Sequence, residues 1–286
     1  MRLCGFETYT DVQLREIKNI NIINNSLNEI PNEIDLFANV VNIWFNNNMI
    51  MYIPREIGYL KNLKLLCLDD NPLRSINKEI GLLTNLEELD LKNCQLEKLP
   101  YEIFNLTKLK ILNLSCNYLT KLPREVENLK SIEKIWIDNN QLMSIPESIG
   151  KLVQLKELDL SSNRLQYIPD TLGTLSNLSL LWMQSNQLES LPPSIFKLQT
   201  ITLLNLGNNN ISFLPIDVFH MDNLQELVIA WNKFKVIDSE LYKAKSLKKI
   251  FLDINQTILK TNPMTINPEL IIFRNSTPND EMYYQE

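Results

Sequence analysis

The chain has 286 residues, with 28 Lys and Arg against 34 Asp and Glu, a net charge of -6 and a pI near 5.1. That balance argues against nucleic acid as the main partner, which would require a basic face, and 44% hydrophobic residues argue against wholesale disorder. No apolar run reaches the length of a membrane span, and the opening MRLCGFETYTDVQLREIKNI lacks the apolar stretch and small-residue cleavage site of a secretory leader. Cys4, Cys67, Cys94 and Cys116 form no CxxC pair and read as reduced thiols, which places the chain in the cytoplasm.

Taken in chain order, residues 1–16 precede any pattern and are expected to cap one end. From there LxxLxLxxNxLxxLP returns every 23 residues, its first apolar position at Ile17, Val40, Leu63, Leu86, Leu109, Ile132, Leu155, Leu178, Ile201, Leu224 and Leu247. The ninth position holds Asn25, Asn48, Asn71, Asn117, Asn140, Asn163, Asn186, Asn209, Asn232 and Asn255, with Cys94 in the one gap. Proline follows at 31, 54, 100, 123, 146, 169, 192 and 215, and Asn77 and Asp238 break that series. One further step of 23 lands on Leu270 in PELIIFRN, expected as a truncated twelfth strand inside a C-terminal cap over 258–275. STPNDEMYYQE, 276–286, reads as a polar acidic tail.

The LxL piece alternates at period two, so it forms a strand that stacks in parallel on its counterpart in the next repeat. The asparagine amide both donates and accepts, so a column of asparagines can satisfy the buried backbone of successive turns. Cys94 in that column reads as a small buried thiol with a weak donor, not a metal or redox site. Proline suits a first helical position, and Glu56, Glu102 and Glu125 two places on favour a helix start. The expected fold is therefore an α/β solenoid, a horseshoe with a parallel β-sheet on the concave face and short helical or 3₁₀ turns on the convex face. Eleven repeats occupy 17–257, and neighbour interfaces hold them together because a lone repeat buries too little to order itself.

This period, with its LPxxI and xNL segments, is that of the leucine-rich repeat and resembles the intracellular Ras-group, Scribble-type family over residues 17 to about 257. The resemblance implies a scaffold or adaptor that holds signalling partners on its concave face. Abundant asparagine suggests an AT-rich genome such as that of a parasite, bacterium or large virus, in which case the compartment could be the cytoplasm of a host cell.

Within LxxLxLxxN, positions two, three, five, seven and eight are expected on the concave face. Position five reads Asn21, Trp44, Cys67, Asp90, Asn113, Trp136, Asp159, Trp182, Asn205, Val228 and Phe251, and Trp231 stands at position eight. All four tryptophans thus avoid the repeat core. The concave positions of the repeats beginning at Leu178 and Ile201 carry no ionisable group, whereas the repeat at 86–94 shows Glu87, Glu88, Asp90 and Lys92. Charge depletion beside tryptophan marks interface cores. Leu180, Trp182, Leu203, Val228, Trp231 and Phe251, with Trp136 at the rim, are the candidate binding residues for a protein or peptide. The alternatives are lateral packing that only stiffens the sheet, or a C-terminal cap folded over the patch. Trp44 stands apart from it.

Other chemistry is sparse. His220 is the one histidine, so neither a zinc site nor a triad can be assembled around it. Asp69, Asp70 and Asp90 read as solvated acids. Cys67 and Cys116 lie two strands apart, ~10 Å, too far for a disulfide. The six glycines form no phosphate loop. The expectation is a non-enzymatic interaction module with no catalytic residues, metal or cofactor; the alternative is a regulatory subunit that docks a signalling enzyme such as a phosphatase or small GTPase.

Overall fold

The computed structural model describes residues 3–258 and 267–275; the expected tail, 276–286, and residues 259–266 of the expected C-terminal cap lie outside them. A short helix, α1 (Asp11–Glu16), opens the chain. Thr10 caps it reciprocally: its hydroxyl accepts from Gln13 N at 3.3 Å, and Gln13 Oε1 accepts from Thr10 N at 2.8 Å. Leu3, Leu14 and Phe6, the last edge-on to Phe37 at 5.1 Å, close the core at this end.

Positions three to five of each repeat, centred on the first apolar residue of LxL, form a three-residue strand: β1 (Asn19–Asn21), β2 (Asn42–Trp44), β3 (Leu65–Cys67), β4 (Glu88–Asp90), β5 (Ile111–Asn113), β6 (Lys134–Trp136), β7 (Glu157–Asp159), β8 (Leu180–Trp182), β9 (Leu203–Asn205) and β10 (Glu226–Val228). After them come β11 (Val236–Ile237), β12 (Lys249–Asp253), β13 (Thr257–Ile258) and β14 (Ile271–Asn275). β1 to β10, β12 and β14 form one twelve-stranded parallel sheet in chain order, and β11 pairs with β13 separately. Residue n pairs with n+23 as far as β12, for example Trp136 with Asp159 and Val228 with Phe251. At β14 the offset is 22: Phe251 pairs with Phe273. The last strand is therefore one residue out of the step that pointed to Leu270 as position one, and Phe273 joins the position-five column.

The outer half of each repeat is a five-residue 3₁₀ turn, from Asn32–Leu36 through Ser239–Lys243. Proline sits one residue earlier than expected, as the N-cap: Pro31 and Pro54 have φ -68° and ψ 152°. That extended conformation suits the fixed ring torsion, and the Pro31 carbonyl accepts from Ile34 N at 3.0 Å. Asp238, standing in for proline, caps with its own carboxylate, which accepts from Glu240 N at 2.9 Å.

Two asparagine rows lace the turns together. In the first, Asn140 Nδ2 donates to Leu114 O, Ile137 O and Asp138 O at 3.0, 3.2 and 3.0 Å, while its Oδ1 accepts from Leu119 N at 2.9 Å. The same set recurs at Asn117, Asn163, Asn186 and Asn209. Asn25 begins the row from an exposed position and lends Nδ2 only to Ile23 O. Asn255 does not continue it: that residue is exposed, and buried Gln256 ties off the end, donating to Asp253 Oδ2 at 2.8 Å. The second row lies at the opposite end of the strands, in the xNL segments. There Asn39, Asn62, Asn85, Asn177 and Asn223 donate to the carbonyl 24 residues upstream.

Gly58 and Gly81 occupy the repeat position where Phe104 and Phe219 stand elsewhere, and they let consecutive turns close up. A methyl on Gly81 would fall 2.5 Å from Glu102 O and 2.8 Å from Glu102 Cβ. Gly81→Ala should therefore destabilise by about 1–3 kcal/mol despite alanine's better local propensity, measured by urea denaturation; an unchanged midpoint would show that the turns can part freely.

Candidate functional site

The concave face is built of columns. At positions two and three, Lys and Glu alternate and pair across strands: Lys64 and Lys110 with Glu87 at 2.9 and 2.7 Å, Lys156 with Glu133 at 2.6 Å, Lys134 with Glu157 at 2.8 Å. The two lysines hold the Glu87 carboxyl down at about 2. These pairs are exposed or half-buried and add little stability, but they neutralise the edge of the sheet. Leu180 and Leu203 interrupt the position-three series side by side, between Glu157 and Glu226.

Position five runs down the middle. Strands ~4.8 Å apart press its side chains together, so Trp44, Trp136, Trp182 and Phe251 are only half exposed. Phe251 stacks on Phe273, centroids 4.6 Å apart and planes at 9°, so lateral packing accounts for part of this face. Val228 corrects the sequence reading: it is 1% exposed, with Ala230 beside it at 0%, so both form the floor of the patch and not its surface. The large apolar residues with the greatest exposure, such as Phe213 at 71% and Met51 at 63%, are outside the strands, on turns and flanks.

Trp231 is placed differently. The turn after each strand passes through a left-handed residue at position eight, filled by Asn24, Asn47, Asp70, Asn93, Cys116, Asn139, Ser162, Ser185 and Asn208, with φ from 51° to 56°. Asparagine and aspartate tolerate this region, whereas a bulky side chain is strained there. Trp231 adopts it at φ 56° and borders a surface depression with Phe234, Lys235, Asp253 and Gln256. Its backbone N–H donates to Asp253 Oδ1 at 2.7 Å. Trp231→Asn removes that strain along with the indole's packing, so its stability should stay within about 1 kcal/mol of wild type; a thermal-melt loss above about 2 kcal/mol would make the indole a packing residue.

Asp159 lies in the same column between Trp136 and Trp182, on the strand that pairs with both. Ser161 donates to its Oδ1 through N at 2.9 Å and Oγ at 2.6 Å. Burial nevertheless pushes its carboxyl up to about 6. Lys134 Nζ lies 5.6 Å from the Trp136 ring centroid. Sequence reasoning placed Asp159 in the column but did not select it; the signal was tryptophan 23 residues away on either side.

The Cys67 thiol and the Asp69 and Asp90 carboxylates have atoms within 4.8 Å of one another. The group is satisfied internally: Cys67 Sγ donates to Asp69 Oδ1 at 2.7 Å, and Asp90 accepts from Lys92 N and Asn113 Nδ2. Burial raises the Cys67 thiol, against the thiolate a metal ligand needs. Cys94 is buried, its thiol pushed up to about 12 by burial, and Sγ donates to Leu68 O at 3.2 Å. All four cysteines are free. His220 is exposed, with Nε2 3.6 Å from Glu240 Oε2. Among the described residues no helix is long and apolar enough to cross a membrane.

A leucine-rich repeat region profile matches residues 16–145 and 143–265. The chain belongs to the leucine-rich-repeat family, whose fold typically serves as a non-enzymatic interaction scaffold. A leucine-rich-repeat protein of Leptospira interrogans is 32% identical with TM-score 0.80, over 92% of this chain and 73% of that one. The plant peptide hormone receptor RGFR1, solved with RGF2, is 30% identical with TM-score 0.73, over 85% of this chain. The ectodomain of the receptor kinase GASSHO1/SCHENGEN3 from Arabidopsis thaliana, solved with CASPARIAN STRIP INTEGRITY FACTOR 2, is 28% identical with TM-score 0.73, over 82% of this chain. This chain spans 42% and 30% of those two receptor chains. No curated protein sequence matches it.

Proposed function

We propose that the chain is a non-enzymatic interaction module, a cytoplasmic adaptor of Ras-group type, that binds a protein or peptide on its concave face. The contact runs across Leu180, Trp182, Leu203 and Phe251, with Val228 as the floor and Trp136 and Trp231 at the rims. The observation that carries this reading is the pair of successive repeats without an ionisable concave side chain, set beside half-exposed tryptophan. Tryptophan in a desolvated, charge-free surround is the commonest energetic anchor of protein interfaces. The structurally similar plant receptors captured with peptide ligands support it as well.

The test is a crosslinked pull-down from source lysate with wild type and a Trp182→Ala/Trp231→Ala variant, with circular dichroism to confirm that both are folded. A protein retained by wild type and lost by the variant is expected. Equal recovery of every protein by both would move attention to the convex side.

A further inference from the structure

We infer that the stretch of concave face between Trp136 and Trp182, with Asp159 at its centre, receives a basic side chain of the docked partner, an arginine guanidinium or lysine ammonium. This rests on the concave-face reading above and gives its partner a chemistry. The three residues pair in register across β6, β7 and β8. Two strand spacings place the backbones that carry the indoles ~10 Å apart. A cation seated over Asp159 would lie ~5 Å from each, within the ~6 Å reach of a cation–π contact.

The carboxylate is left half-used. Both hydrogen bonds that the fold supplies fall on Oδ1, from Ser161, and among the described residues no donor reaches Oδ2. The other acid of the position-five column differs. Asp90 has a donor on each oxygen, Lys92 N and Asn113 Nδ2. Asp138 likewise has Ser115 Oγ on one and Asn139 Nδ2 on the other. The Trp136 ring already attracts a cation, Lys134, but that ammonium is tied to Glu157 at 2.8 Å.

Charge complementarity points the same way. Lysines and glutamates of the outer columns cancel in pairs, but positions five, seven and eight of the repeats hold six aspartates against the single base Lys92. A partner presenting arginine or lysine would meet an acidic centre bounded by indole, and an acidic partner would be repelled by it.

The experiment is to pan a random-sequence peptide library against the full chain, and then to measure the enriched peptides on Asp159→Asn, on Trp182→Ala/Trp231→Ala and on the convex control Asp170→Asn. Arginine- or lysine-bearing peptides are expected, bound about ten- to hundredfold more weakly by Asp159→Asn and unchanged by Asp170→Asn. Peptides that bind Asp159→Asn as tightly as wild type overturn the inference. If those peptides still require Trp182 and Trp231, the concave-face reading stands without it; if they are indifferent to the tryptophans, both readings fall. Hexa-arginine titrated against tryptophan fluorescence is the direct probe, and an unaltered wild-type spectrum at millimolar peptide also overturns the inference.

Discussion

Replacing Asn140 with alanine is expected to lower stability by about 2–4 kcal/mol, more than most single changes in a chain with so many repeats. The carbonyls it serves each keep another donor: Leu114 O has Asn117, Ile137 O has Asn163, and Asp138 O has Cys116 N. Leu119 N–H does not, and it is left buried without an acceptor. The natural exception calibrates this. Sulfur at Cys94 is a poor acceptor for Leu73 N, which turns to Asn71 O at 2.8 Å. Cys94→Asn should accordingly gain about 1 kcal/mol. Urea denaturation of both variants decides the matter: Asn140→Ala within about 0.5 kcal/mol of wild type would mean that the row is ornamental. A change in slope instead of midpoint would mean that the array comes apart in sections.

How much of this was legible beforehand follows from what repeats and what does not. The strands, the turns and the asparagine row recur at a fixed step, so each residue is read many times over. Reading failed where the period ends. The row stops at Asn232: Asn255 is exposed and buried Gln256 bonds Asp253 instead, and β14 enters one residue early, bringing Phe273 onto Phe251. It failed also on depth. A column assignment says which way Val228 and Asp159 face, but not that flanking side chains at strand spacing bury the first and half-bury the second. The left-handed turn was hidden in plain view: position eight reads Asn, Asp or Ser in eight of its first nine occurrences, which makes Trp231 conspicuous only once the backbone torsion is known.

Asp159→Asn is expected to stabilise the protein at neutral pH and to leave it unchanged in acid. The carboxyl titrates at about 6 in the fold against an ordinary value of 3.8, chiefly through burial. Below 3.8 both folded and unfolded chains hold the proton, and no penalty exists. Between 3.8 and 6 the unfolded chain ionises first, so stability falls as pH rises. Above 6 the penalty is complete, at most about 3 kcal/mol at ~1.4 kcal/mol per unit. The charged groups around Asp159 are Lys134 on β6, Asp138 just after β6 and Glu157 on its own strand, while Leu180 and Trp182 on β8 and Gln184 just after it carry no charge. Asp138 adds to the upward push, and Lys134 is engaged by Glu157. Asparagine keeps an acceptor for Ser161 without the charge, so the wild-type and variant midpoints should coincide near pH 4 and separate to a plateau above pH 6. Parallel curves across the whole range would show that Asp159 is solvated and carries no penalty. A cation docked over Asp159 would favour the ionised form and draw its titration back down, so peptide binding near pH 6 should release a proton. Opposite signs for stability and binding in one variant would distinguish a recognition carboxylate from one that merely fills the sheet.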